Sequence, residues 1–317
     1  TLGRFGQGLS WVLYISLFYS LTVAYISGSG SLLASLISFV QIPDWVGSLF
    51  FVLLFGWVVY LGTRSVDLWN RVLMVGKILC FLGLVFVGVE YVKPELLAHT
   101  DSSQALVALP VLIISFGFHN MVPTITHYMK GDLKRVKKVI LGGSLLTLFV
   151  YLLWEIVVLG IVPEAQIKEN LAQGKEASQA IADILGSSWV TKFAHGLAFF
   201  AMLTSFLAQS LALVHFLTDG FKAPSYKREN IWMCALALGP PLICSLIYPA
   251  LFFKALSFAG GICTVILFGV MPATMVWLGR YWKEVPSTYQ VFGGKTLLGG
   301  IFFFALFVFG FQIYSMI

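Results

Sequence analysis

Nine long runs of apolar residues constrain the fold of this chain more than any other feature. Each run has at least 17 residues, and a helix needs about 20 apolar residues to cross a bilayer core. Charged residues make up 11% of the chain and the mean hydropathy is +0.90, whereas soluble domains carry about 25% charged residues. The pattern predicts an all-α polytopic membrane protein with one transmembrane domain, residues 1–317. The predicted spans, labelled A to I, cover about 11–38, 46–62, 72–92, 106–127, 139–161, 192–218, 231–248, 252–278 and 296–316.

The basic residues predict how these spans are oriented. Fourteen of the 20 Lys and Arg residues fall in alternate connecting segments, beginning with the N-terminal one. Because basic loops stay on the cytoplasmic side, the N-terminus is predicted to be cytoplasmic and the C-terminus external. The net charge of +6 therefore reflects membrane orientation and gives no reason to expect a nucleic-acid partner. The long external segment 163–189 is expected to form a short amphipathic cap, with helix as one option.

Span D combines a membrane-length run with residues that weaken a helix at its centre. Gly117 is a poor helix former, and Pro123 cannot donate a hydrogen bond to the carbonyl of His119. His119 and Asn120 place an imidazole and an amide at the same depth. Irregular backbone survives in a membrane only when it is buried in protein or lines a wet cavity. The stretch is typical of the broken helices that hold substrates in secondary transporters, and an ordinary proline kink is the equal alternative.

Three ionisable residues within or at the ends of spans are candidates for carrying a proton. Glu155 lies near the middle of span E, where an ionised carboxylate costs about 2.5–3.5 kcal/mol. His215 and Asp219 are four residues apart near the cytoplasmic end of span F and can hydrogen-bond each other. The alternatives for Glu155 are a structural protonated carboxyl or a misplaced edge of the span, and the alternative for the other two is an interfacial pair.

Two helix faces carry polar and aromatic residues at helical spacing. One face of span F presents a hydroxyl, an amide, a small alanine that leaves space, and an aromatic ring. One face of span A presents aromatic residues and a hydroxyl. Either face would suit a small amphipathic ligand, and interhelical packing is the alternative. The residues are Ser205, Gln209, Ala212 and Phe216 in span F, and Tyr14, Phe18, Thr22 and Tyr25 in span A.

Several motifs are missing from the sequence. It contains no phosphate-binding loop of the G-x-x-x-x-G-K-[ST] type, no H-E-x-x-H, no G-x-S-x-G and no T-V-G-Y-G. Its four cysteines show no C-x-x-C spacing and are expected to be small apolar side chains that face other helices or lipid. ATP-driven transport, membrane-embedded hydrolysis, a metal site and a potassium filter are therefore not supported.

Six segments of the chain resemble the hydroxy/aromatic amino acid permease family, above all its members specific for tyrosine, with tryptophan permeases next. They are LFYSLTVAYISGSGSLL (17–33), SFGFHNMVPTITHYM (115–129), GGSLLTLFVYLLWEIVVLG (142–160), TSFLAQSLALVHFLTDGF (204–221), YPALFFKALSFAGG (248–261) and MPATMVWLGRY (271–281). The resemblance implies a leucine-transporter-like inverted repeat of five plus five helices and proton-driven uptake of an aromatic amino acid.

The resemblance also makes spans A to I the family's helices three to eleven, so that the fold is incomplete at its N-terminus. It favours tyrosine as the substrate, with tryptophan, a broader aromatic permease or a truncated non-transporting fragment as alternatives. We expect a monomer in a bacterial inner membrane, with the amino acid, protons and lipid as partners and without an enzyme activity or cofactor. The candidate substrate-binding residues are Gly117, Phe118, His119, Asn120, Pro123, Tyr14, Phe18, Thr22, Ser205 and Gln209, and the candidate coupling residues are Glu155, His215 and Asp219.

Overall fold

The structure, a computed structural model, describes residues 2–36, 43–98, 105–119, 122–172, 177–223, 230–248, 252–285 and 292–316. These residues form helices joined by short connections, and the described ranges contain no strand. The helices are α1 (Gly3–Leu36), α2 (Asp44–Tyr60), α3 (Thr63–Gly88), α4 (Pro94–Leu97), α5 (Leu109–Ser115), α6 (Val122–Tyr128), α7 (Leu133–Ile161), α8 (Glu164–Ala172), α9 (Ala177–Leu185), α10 (Ser188–Gly220), α11 (Ile231–Ile247), α12 (Phe252–Phe258), α13 (Met271–Trp277) and α14 (Gly294–Met316). Two wider π-helical stretches, π1 (Ala259–Val270) and π2 (Leu278–Trp282), flank α13.

The helix lengths agree with a polytopic membrane protein. Six helical stretches within the described ranges are long and apolar enough to cross a membrane, and three further apolar helices are shorter. The shorter ones belong to predicted spans B, D and G. The all-helical class is therefore confirmed, whereas the count of nine spans and the inverted repeat stay predictions. The segment 163–189, which is predicted to be external, contains α8 and α9, so helix is the correct choice there.

Several helices extend beyond the predicted apolar runs, and α7 shows the reason. It begins at Leu133, well before the predicted start of span E at 139. The carboxylate oxygen Oδ1 of Asp132 accepts hydrogen bonds from the backbone N–H groups of Lys134 (3.1 Å) and Arg135 (3.2 Å). Such a cap satisfies amides that the first turn leaves unpaired. Hydropathy marks the apolar part of a helix, whereas capping and long basic side chains allow the helix to continue into the interface.

The chain divides into two compact units. Unit 1 contains residues 1–17, 101–150 and 256–317, and unit 2 contains residues 18–100 and 151–255. A single transporter domain over the whole chain stays a prediction.

Unit 2 is built around the antiparallel pair of α3 and α10. Glycines on each helix lie against side chains of the other. A Cβ added at Gly76 would lie 2.8 Å from the Phe200 ring, and a Cβ added at Gly196 would lie 2.8 Å from the Cys80 sulfur. Small residues let membrane helices approach closely when no hydrophobic effect drives them together. Residues 151–161 of α7, which belong to this unit, run parallel to α3, and Phe81 faces Trp154 with ring centroids 6.1 Å apart. α9 packs against α10 and α8 against α9, and α9 inserts a fully buried isoleucine, Ile181.

Unit 1 packs α5 and α14 against π1. Gly260 lies directly against the backbone carbonyl of Pro110 in α5, and Gly261 lies against the side chain of Gln312 in α14. Gln312 is 3% exposed and donates a hydrogen bond from Nε2 to the Ser257 hydroxyl at 3.2 Å. These contacts hold α5, which leads into the weakened centre of span D, against a wide helical stretch.

Candidate functional site

Span D is interrupted where the sequence predicts it. α5 ends at Ser115, and the chain then makes a tight turn in which Gly117 N–H donates to the Ile114 carbonyl (2.9 Å) and Phe118 N–H donates to the Phe116 carbonyl (2.9 Å). Regular helix resumes at Val122. A Cβ at Gly117 would lie 2.8 Å from the Ile114 carbonyl oxygen, so the turn requires a residue without a side chain. The predicted break is confirmed.

Pro123 has a different structural role from the one its position in the run predicts. It is the second residue of α6, where the backbone N–H has no partner within a helix in any case. Proline therefore starts the second half of the span instead of kinking a continuous helix. Its side chain and all of Asn120 lie outside the described residues, so their predicted contacts with a ligand stay predictions.

An aromatic group from three parts of unit 1 surrounds the break. The His119 imidazole stacks on the Phe268 ring with centroids 4.7 Å apart and planes at 14°. Phe118 lies 5.8 Å from His119, and Tyr14 of α1 lies 6.4 Å from Phe268, measured between ring centroids. The exposed His119 side chain leaves one flank of the imidazole open. Phe268, which is not among the site residues predicted from the sequence, thus contacts two of them, His119 and Tyr14, and Phe118 lies beside His119.

Phe268 gives no signal in the sequence that separates it from ordinary apolar residues. It lies in the π1 run AGGICTVILFGV, where a phenylalanine is typical of any membrane helix. Its importance comes from the packing of π1 against α5, which places it 3.5 Å from the position of a Cβ at Gly117. Aromatic pairs of this kind contribute about 0.5–1.5 kcal/mol beyond burial of area.

The remaining substrate-binding candidates lie in unit 2, where α1 and α10 run antiparallel. Phe18 is 6% exposed and meets Phe216 edge to face at a centroid distance of 5.5 Å. Thr22 is fully buried, and its hydroxyl donates to the Phe18 carbonyl at 2.8 Å. The two predicted helix faces therefore do lie against each other along this part of α1 and α10.

The surface where these two helices meet, here called the α1–α10 face, includes Phe18, Thr22, Tyr25, Ser205, Gln209 and Phe216. Its polar residues differ in their hydrogen bonding. The Ser205 hydroxyl shares a hydrogen bond with the Tyr25 hydroxyl. One turn further along α10, the amide nitrogen Nε2 of Gln209 is buried and has no hydrogen-bond partner in the described part of the chain. Tyr25 lies on the predicted aromatic face of span A but is not one of the predicted site residues. Helical spacing alone cannot show that the Tyr25 hydroxyl contacts Ser205.

The coupling candidates occupy separate helices in unit 2. Glu155 lies within α7, and its side chain is exposed although the neighbouring Val157 and Val158 are buried. His215 and Asp219 are both exposed in the last two turns of α10. Among the residues that the structure describes, no three His, Cys, Asp or Glu side chains form a group that could hold a metal ion.

Comparison with known proteins gives a consistent result over almost the whole chain. The profile of the tryptophan/tyrosine permease family matches residues 1–312. "Tyrosine-specific transport system 1" of Haemophilus influenzae is 31% identical over 306 residues, which cover 93% of this chain and 75% of that protein. "Tryptophan-specific transport protein" of the same organism is also 31% identical, over 95% of this chain and 75% of that protein. "Low affinity tryptophan permease" of Escherichia coli is 29% identical over 95% and 74% of the two chains.

Proposed function

Because this chain belongs to the tryptophan/tyrosine permease family, we propose that it is a secondary transporter that takes up tyrosine together with a proton. Members of this family are permeases, that is, transporters and not enzymes, and the apolar helices agree with a multi-pass membrane protein. Tryptophan is the alternative substrate, since relatives named for either amino acid match with the same identity of 31%.

The observation that carries the proposal is the interrupted helix beside the Phe268 ring. The turn at 116–119 takes backbone groups out of regular helical bonding, and a membrane offers them no water. The amine and carboxylate of an amino acid provide a donor and an acceptor for such groups. Phe118, His119, Phe268 and Tyr14 add ring faces at the same place, which supports a substrate whose side chain is aromatic.

Proton coupling rests on the ionisable side chains within the apolar helices. An acidic residue in a membrane span is costly when ionised, and such residues usually pair with another group or belong to a proton relay. Glu155 in α7 is the first candidate in this proposal, and His215 with Asp219 at the end of α10 is the second. A cytoplasmic N-terminus and a location in the bacterial inner membrane complete the proposal, and the basic residues at the start of α7 support that orientation.

The experiment is uptake of radiolabelled tyrosine by the full-length protein in proteoliposomes with an imposed pH gradient, acidic outside. We expect concentrative uptake that a protonophore abolishes and that a sodium gradient alone does not drive. Uptake that depends on sodium and resists the protonophore would refute proton coupling but leave amino acid transport standing. Failure to transport either tyrosine or tryptophan under both gradients would refute the proposed function.

A further inference from the structure

Gln209 is the polar residue of the α1–α10 face whose bonding capacity is unused. Within the described ranges, six buried side-chain atoms lack a hydrogen-bond partner, and Nε2 of Gln209 is the one that lies on the predicted ligand-facing stripe of α10. A buried donor without a partner carries the desolvation penalty of that group. Each such group in a native structure requires an explanation, and a ligand that supplies the missing acceptor is one.

The register of the two helices shows what surrounds this amide. Three contacts fix the antiparallel pairing of α1 with α10, because residues that come earlier in α1 contact residues that come later in α10. They are Ser29 with Met202 (3.5 Å, hydroxyl to sulfur), Tyr25 with Ser205, and Phe18 with Phe216. The register places Thr22 at the level of Gln209, between the Tyr25–Ser205 hydrogen bond and the edge-to-face ring pair.

A pair of aromatic rings lies near the level of the amide along α1 and α10. The Thr22 hydroxyl donates its proton to the Phe18 carbonyl, and the Ser205 hydroxyl is already hydrogen-bonded to Tyr25. The Phe18–Phe216 pair lies one to two turns away towards the end of α10. A ligand that combines an acceptor atom with a ring can satisfy Gln209 and pack on this aromatic pair at the same time.

The phenol of tyrosine has that combination, and the side chains of competing substrates do not. A phenolic oxygen accepts as well as donates, an indole N–H only donates, and a phenyl ring does neither. We propose that Gln209 selects tyrosine by donating its side-chain amide N–H to the phenolic oxygen of the substrate. This inference rests on the proposed function and names the residue that would decide between its two substrates.

The test compares kcat/KM for tyrosine, phenylalanine and tryptophan in the wild-type protein and in Gln209→Met. The wild type should prefer tyrosine over phenylalanine by about tenfold or more, and Gln209→Met should lose about tenfold of that preference. Methionine keeps the length of the side chain and removes an amide group whose buried nitrogen has no hydrogen-bond partner among the described residues. The variant should therefore fold at least as well as the wild type.

Gln312→Met is the matched control, because it makes the same chemical change at a buried glutamine whose Nε2 already has a partner, Ser257. It should lower thermal stability and leave the tyrosine preference unchanged. An unchanged preference in Gln209→Met would overturn the inference, and so would a wild type that transports tryptophan or phenylalanine as well as tyrosine. A wild type that transports no aromatic amino acid would instead refute the proposed function.

Discussion

The contact between Gly260 and α5 predicts that one methyl group will strain unit 1. A Cβ at position 260 would collide with the Pro110 carbonyl oxygen, and it would lie 3.0 Å from the Pro110 carbonyl carbon and 3.3 Å from the Ile114 Cβ. Ordinary contacts begin at 3.4 Å, so the backbone of α5 must retreat. No side-chain rotation can relieve the collision, because its nearest partner is a main-chain atom.

The magnitude follows from comparison with a glycine in open space. Gly260→Ala should introduce strain of about 1–3 kcal/mol, as overpacking does in other cores. Gly143→Ala in α7 of the same unit makes the same change where nothing lies within 4 Å. The control should gain about 1 kcal/mol from the better helix propensity of alanine. Since the chemical change is the same, the difference in stability between the two variants measures the strain.

The assay uses the cysteines of the chain as reporters of unfolding. Cys234 and Cys263 are buried and Cys244 is exposed, so a dye that fluoresces on reaction with thiols gives a baseline signal and a rise on heating. We expect the midpoint of Gly260→Ala to lie about 2–8 °C below that of Gly143→Ala. Equal midpoints, or a higher midpoint for Gly260→Ala, would show that α5 and π1 are not in the close contact described.

Three further predictions concern the break, the acidic residue and the helix cap. His119→Ala should reduce kcat/KM for tyrosine uptake by about threefold to tenfold through loss of the ring stack on Phe268, whereas His127→Ala, an exposed position in the last turn of α6, should behave as wild type. Glu155→Gln should abolish uptake driven by a pH gradient while tyrosine exchange across the membrane continues; retained concentrative uptake would assign coupling elsewhere. Asp132→Ala should destabilise the start of α7 by about 1 kcal/mol, seen as a lower midpoint in the thiol assay, and an unchanged midpoint would show that the cap contributes nothing.

The helix break was predictable because its causes are local. Gly117 and Pro123 act on their own turn of backbone, so the sequence alone indicates where regular hydrogen bonding must stop. The start of α7 was equally local, since Asp132 precedes the basic run and caps it, but hydropathy does not register caps. That signal was present in the sequence, and a count of apolar residues could not detect it.

The composition of the site was predictable only in part, because helical spacing defines a face without identifying what the face contacts. Ser205 and Gln209 lie on one stripe of α10, yet Ser205 is bonded to Tyr25 and the Gln209 nitrogen is not bonded. Spacing treats the two residues alike. The difference arises from the register of α1 against α10, which depends on packing along both helices.

The sequence by itself determined that this chain crosses a membrane, that its elements are helices, and that span D is broken. These properties follow from hydrophobicity and backbone bonding, which act over one turn to about twenty residues. Only the tertiary structure decided that Phe268 stacks on His119, that Gly260 touches α5, and that Gln209 keeps a free donor. Those contacts join residues far apart in the chain, so they exist only once the helices have packed in a particular register.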